Sequence, residues 1–193
     1  MRCVRFAVFV SLLSAWPSIA QAQSLPPTRA TDITRAEFLT VLKSMNPDGV
    51  ADQQLRVVDI GKYNVAVGVL HRSGKAKQSA ISHSQVTEIY YVIAGAGTFV
   101  TGGRIANPSE APADGATVKV LVGPSTVGSG IDGGQQRKIG PGDVIIVPPG
   151  VAHWFSAIEA DLDYLVFRVD ADHVLPTGYT HPLLQKPPAG RER

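Results

Sequence analysis

Short runs rich in β-branched and aromatic residues recur along this chain between Gly, Pro, Asn and Asp punctuation. They fall at 56–60, 63–70, 88–93, 98–101, 117–122, 143–147, 154–158 and 162–169. Regular short strands separated by turn signals point to an all-β sandwich or barrel. No sustained 3.6-residue periodicity lies among them, which argues against a parallel sheet covered by crossover helices. One helix is expected, over about 35–45. Thr34-Arg35-Ala36-Glu37 fits a capping box, Phe38, Leu39, Leu42 and Met45 follow near helical spacing, and Asn46-Pro47-Asp48-Gly49 stops the run. The stretches 102–116 and 123–134 read as long loops, the first with the option of a lid. The tail after Val169 reads as packing over the outside or fraying.

The N-terminus reads as an address. Arg2 and Arg5 precede an apolar run from Phe6 to Ala20, followed by Ala20-Gln21-Ala22. A basic start, an apolar stretch and a small-x-small site are the marks of a secretory signal peptide, cleaved here after Ala22. The run is short for a spanning helix, and Ser11, Ser14, Pro17 and Ser18 interrupt it. A periplasmic or secreted protein without a stable membrane anchor after cleavage is therefore expected. The expected organisation is signal peptide 1–22, lead-in and helix 23–49, barrel 50–170 and tail 171–193.

The 18 basic residues lose Arg2 and Arg5 on cleavage, which leaves 16 against 16 acidic residues. The one cysteine, Cys3, leaves as well. The mature chain has no disulfide framework and no Cys-rich zinc site. With no Lys/Arg-rich run, it gives no sign of binding nucleic acid.

Two segments stand out. One runs from His83 through Glu88 to Gly95; the other runs from Gly142 through Pro148 and Gly150 to His153. Strand alternation puts Glu88, Tyr90 and Val92 on one face and Ile89, Tyr91 and Ile93 on the other. If neighbouring strands bring His83, Glu88 and His153 together, two imidazoles and a carboxylate converge inside an apolar barrel. A carboxylate there must be paired, metal-bound or protonated, because an isolated buried charge is very costly.

These segments resemble the two motifs of the cupin superfamily. The second motif, G-x5-P-x-G-x2-H, matches at Gly142, Pro148, Gly150 and His153. The first, H-x-H-x(3,4)-E-x6-G, matches at its second His (His83), at Glu88 and at Gly95. The resemblance implies a small antiparallel β-barrel or jelly roll, preceded here by the short N-terminal helix. It also implies a divalent metal (Fe, Mn, Ni, Co or Zn) held by His83, Glu88 and His153. Two His and one carboxylate with open positions suit non-haem Fe(II) and its first-row neighbours. Two positions depart from the family pattern: Ile81 stands where the first His belongs, and Ala157 replaces the usual Asn. His71, Gln78, His173 and His181 are the candidates for a fourth ligand.

Ile81, Tyr90, Val92, Phe155 and Ala157 are the expected pocket lining, with barrel filling the competing role for Tyr90 and Phe155. Trp154 is expected in the core between sheets. Arg168 is expected on a solvated face or edge, with a substrate-carboxylate anchor as the alternative. Three functional classes follow from the resemblance. The first is a metal-dependent enzyme of oxygenase, lyase or isomerase type acting on a small polar metabolite, with Glu88 as a base if the metal is weak or absent. The second is a non-catalytic cupin that binds a small ligand or a metal, or is metal-free. The third is a structural role through a homodimer formed at a barrel edge.

Overall fold

In the computed structural model, residues 28–185 are described; the expected signal peptide lies outside them. The helix α1 (Arg35–Lys43) forms with its capping box in place. The Thr34 side chain accepts from the Glu37 backbone, and the Glu37 carboxylate accepts from the Thr34 N–H at 2.7 Å. It lays Phe38, Val41 and Leu42 onto Leu55 and Val69 of the sheet.

Everything else is built on antiparallel pairing. The strands are β1 (Val50–Asp59), β2 (Asn64–Arg72), β3 (Ala80–His83), β4 (Val86–Thr101), β5 (Arg104–Ala106) and β6 (Ser109–Glu110), then β7 (Ser125–Gly128), β8 (Gly130–Asp132), β9 (Gln135–Ile139), β10 (Val144–Val147) and β11 (His153–Asp170). The long strands β4 and β11 form the spine. β11 pairs with β2 on one side and β4 on the other, and β1 pairs with β2. β9 and β10 pair with the outer side of β4, and β7 pairs with β3. The inward positions make one core, which includes Tyr90, Val92, Phe99, Phe155, Tyr164 and Val166. The chain is an all-β antiparallel barrel with one short helix.

Several expectations need correction. The runs 88–93 and 98–101 belong to one strand, because Gly95 (φ +85°) bends β4 without ending it. The runs 154–158 and 162–169 are likewise one strand, β11, which absorbs its turn-like residues as register shifts between Phe155 and Tyr164. The stretches 102–116 and 123–134 are not bare loops. They carry β5 and β6, which pair with β8 and β7.

The run Thr117–Val122 is a wide helical turn and not a strand. Its β-branched composition favours a pleated surface, but it pairs with no strand among the described residues, and tertiary placement overrides propensity. The tail packs as far as it is described. Leu175 is buried against Val57 and Ala66, the Val57 N–H donates to the Tyr179 carbonyl at 3.0 Å, and Leu184 reaches the helix-side core.

Candidate metal centre

Three elements bring the first two motifs together. β3 ends on His83, a tight turn follows, and Glu88 enters β4 with Tyr90 and Val92 facing inward while Tyr91 is exposed. The turn after β10 is tied back to the first motif by the Gly150 N–H, which donates to the His83 carbonyl at 2.7 Å. That places His153, the first residue of β11, opposite Ile81 of β3.

His83, Glu88 and His153 are all buried. One ligand atom from each lies within 4.8 Å of the others, so the group is able to hold a metal ion. Glu88 Oε2 is 3.2 Å from His83 Nε2 and 3.6 Å from His153 Nε2.

Outer hydrogen bonds decide which way the rings face. Ser125 Oγ donates to the Gly123 carbonyl, so it accepts from His83 Nδ1–H at 3.0 Å. The Val151 carbonyl accepts from His153 Nδ1–H, also at 3.0 Å. Both imidazoles therefore turn Nε2 toward the carboxylate. Metal-binding His residues are usually fixed by such a partner on the far nitrogen. Two Nε2 lone pairs and Oε2 then point at one place, and this is stable only with a cation between them: a proton on an imidazole or a metal ion.

Tyr90 Oη also donates to Glu88 Oε2, at 2.6 Å. Burial pushes the Glu88 carboxyl up, but the charges of His83 and Arg168 outweigh it and hold it well below the usual carboxylate range. Burial, with the His83 charge, pushes the His153 imidazole down to about 4. Burial, together with Glu88, pushes the Tyr90 phenol well above its ordinary value.

Arg168 corrects the sequence expectation. It is fully buried, not solvated. Its Nε donates to Glu88 Oε1 at 3.0 Å, Nη1 to Gln54 Oε1 at 2.6 Å and Nη2 to Asp52 Oδ2 at 2.5 Å. Glu88 is thus gripped on Oε1 by Arg168, while Oε2 faces the two imidazoles. The signal for this was present in the sequence. Leu162, Tyr164, Val166, Arg168 and Asp170 share one parity, and all five are buried.

A cavity of about 290 Å³ opens on the cluster. Ile81 and Tyr90 line it, together with Leu70, Arg72, Asp52 and Val50. Thr117, Leu121 and Val122 line it too, whereas no residue of 102–116 does. The other expected lining residues lie elsewhere. Val92 and Phe155 fill the core, and Ala157 is exposed beside a separate cleft. Trp154 is half-buried outside the barrel filling, with Nε1 donating to the Gln78 carbonyl at 3.2 Å.

None of the four candidate extra ligands joins the cluster. His71 pairs with Asp163, Gln78 with Arg72 and two backbone carbonyls, and His181 with Gln53; His173 is exposed. Sequence reasoning missed Arg72, Asp52 and Ser125, which carry no motif and reach the site only through strand pairing.

A family model described as Cupin matches residues 67–186. No curated protein matches the chain. Among solved structures, it is similar to the DMSP lyase DddQ of Ruegeria pomeroyi (18% identity, TM-score 0.40, 64% of this chain covered). The match spans about half of that lyase, 48% of its chain. A Bacillus halodurans protein is similar at 15% identity and TM-score 0.44, over 82% of this chain and 93% of that one. The EutQ protein of Clostridium difficile is similar at 13% identity and TM-score 0.36, over 74% and 82%.

Proposed function

This chain belongs to the cupin family, and from that premise we propose that it is an exported protein that holds a divalent first-row metal through His83, Glu88 and His153 and acts on a small polar metabolite. One observation carries the reading: outer hydrogen bonds turn His83 Nε2 and His153 Nε2 onto Glu88 Oε2, so three buried donors converge on one point. Two imidazoles and a carboxylate suit Mn, Fe, Co, Ni or Zn. Three protein ligands with open positions are the pattern of catalytic rather than closed structural sites.

A bound metal would supply Lewis acidity or an activated oxygen ligand at those positions. The chain's own residues do the rest. Arg168 fixes Glu88 through Oε1 and leaves Oε2 to the cluster. Tyr90 donates a hydrogen bond to the same Oε2 and remains protonated across the physiological range. The apolar walls from Leu70, Ile81 and Leu121 limit water. Oxygenase, lyase and isomerase chemistries are all compatible with this arrangement.

A second reading has its own observation. Arg168, Tyr90 and His83 together satisfy the Glu88 carboxylate without a metal. In a metal-free binding cupin the cluster is a buried ion-pair network, with Glu88 the candidate base between the imidazoles.

Metal analysis of the mature protein, isolated from a periplasm, separates the two. The first reading expects close to one first-row metal per chain. His83→Ala, Glu88→Gln and His153→Ala should each weaken binding by about 10-fold or more. A parent that stays metal-free after exposure to Mn, Fe, Co, Ni and Zn in turn sinks the metal reading and leaves the second.

A further inference from the structure

Two arginines reach the cavity region, and only one is in ion-pair contact with carboxylates. Arg168 spends its guanidinium on two carboxylates and one amide oxygen. Arg72, the last residue of β2, finds neutral acceptors only. Its Nε donates to Tyr164 Oη at 2.8 Å and its Nη1 to Gln78 Oε1 at 3.1 Å. Among the described residues no carboxylate lies within ion-pair distance of it.

Arg72 is nevertheless rigidly held. The guanidinium carbon sits 4.6 Å from the Phe155 ring centre and 5.9 Å from that of Tyr164. Gln78 is itself fixed by donating to the Ser73 and Ala76 carbonyls. Stacking on aromatic faces and a fixed fork are the conditions under which arginine reads a planar anion well. Arg72 also lines the same cavity as the His/Glu/His cluster. The Tyr164 ring that supports it lies 4.7 Å from the Tyr90 ring, and Tyr90 in turn contacts Glu88, so one aromatic layer carries both.

The charge balance points the same way. Glu88 and Asp52 offset Arg168 and Arg72. A divalent cation in the cluster adds two positive charges to a low-dielectric space. A neutral or cationic ligand leaves these uncompensated, whereas an anionic one offsets them.

We propose that the cavity takes a small molecule through a carboxylate group, with the Arg72 guanidinium as its fixed counter-charge. The inference rests on the reading of this cavity as a ligand site beside a metal. It names the ligand class, a compact carboxylate, since about 290 Å³ lies at the small end of the range for ligand pockets.

The test uses malonate and its neutral amide, malonamide, as calorimetric probes of the mature protein. Both are measured with the metal removed and with zinc loaded, and metal content is determined separately for every sample. The parent should bind malonate about 10-fold or more tightly than malonamide in both forms, as a two-pronged charged contact demands. Arg72→Gln should bring the two probes to within about threefold of each other without changing the zinc content.

Arg72→Lys keeps the charge and loses the fork, so it should fall between. The parent comparison in the metal-free form needs no variant and stands if Arg72→Gln does not fold. Equal affinity for the two probes in the metal-free parent overturns the proposal. So does a malonate preference that survives intact in Arg72→Gln, which would leave Arg72 as a core-stacking residue only. A protein that refuses zinc but prefers malonate overturns the metal reading and supports this one.

Discussion

Arg168 joins Glu88 to Asp52 through one buried guanidinium. Such a group is not an ornament of the site, because breaking a buried pair leaves an uncompensated charge at a cost of about 3–5 kcal/mol. Space for it comes from Gly68 on the neighbouring strand, where an added Cβ would come within 3.0 Å of Arg168 Nη1. A different pair, nearer solvent, gives a pH signature. His71 Nδ1 lies 2.7 Å from Asp163 Oδ1, directly across the β2–β11 pairing. Burial pushes the His71 imidazole down, but hydrogen bonds to Asp163 and the Pro47 carbonyl, with the charges of Asp163 and Asp161, outweigh it and raise it above its ordinary value. A raised imidazole contributes stability that is fully present below about 6.5, its unfolded value, and is lost as pH rises through the folded one. Asp163→Asn should therefore lower stability by up to about 1 kcal/mol at pH 6. By pH 9 the gap in urea midpoints should close, and a gap of equal size at both pH values would contradict this.

Among the elements, β4 and β11 show why turn signals misled. The sequence separates the runs 88–93 and 98–101, yet one strand continues through Gly95. The bend needs Gly95 itself: its φ is +85°, and a Cβ there would lie 2.0 Å from the Asp161 carbonyl oxygen on β11. Gly95→Ala must both adopt a left-handed conformation and push backbone away. It should cost at least about 3 kcal/mol, read as a fall in the urea midpoint. A loss under about 1 kcal/mol would mean that the two strands are not held so closely there. The helix was readable to within two residues because a capping box and a Pro-Asp-Gly stop are local devices. The 117–122 turn was not readable, because whether a β-branched run becomes a strand depends on finding an edge to pair with.

For the whole molecule, the sequence expects an exported chain, and the prediction is concrete. Protein recovered from the periplasm of a Gram-negative host should have the intact mass of a chain starting at Gln23. Retention of residues 1–22 would remove the export reading, and a different start would move the cleavage site.

What the sequence determined by itself was local and periodic. It set the strand-rich class, the capped helix, the inward parity of Glu88, Tyr90 and Val92, and the two motifs whose spacing delivers His83, Glu88 and His153. Parity also carried Arg168 inward, had it been followed past the apolar residues. Tertiary structure decided what those inward groups meet. Arg168 contacts Asp52 across 116 positions, His71 meets Asp163 across 92, and His153 faces Ile81 only because β11 crosses β3. A strand's own residues fix which side each group faces, but the choice of neighbouring strand and its register is settled by burying one shared core. That is why the cluster was legible in the sequence, while the partners of Arg168 and the placement of Arg72 in the cavity were not.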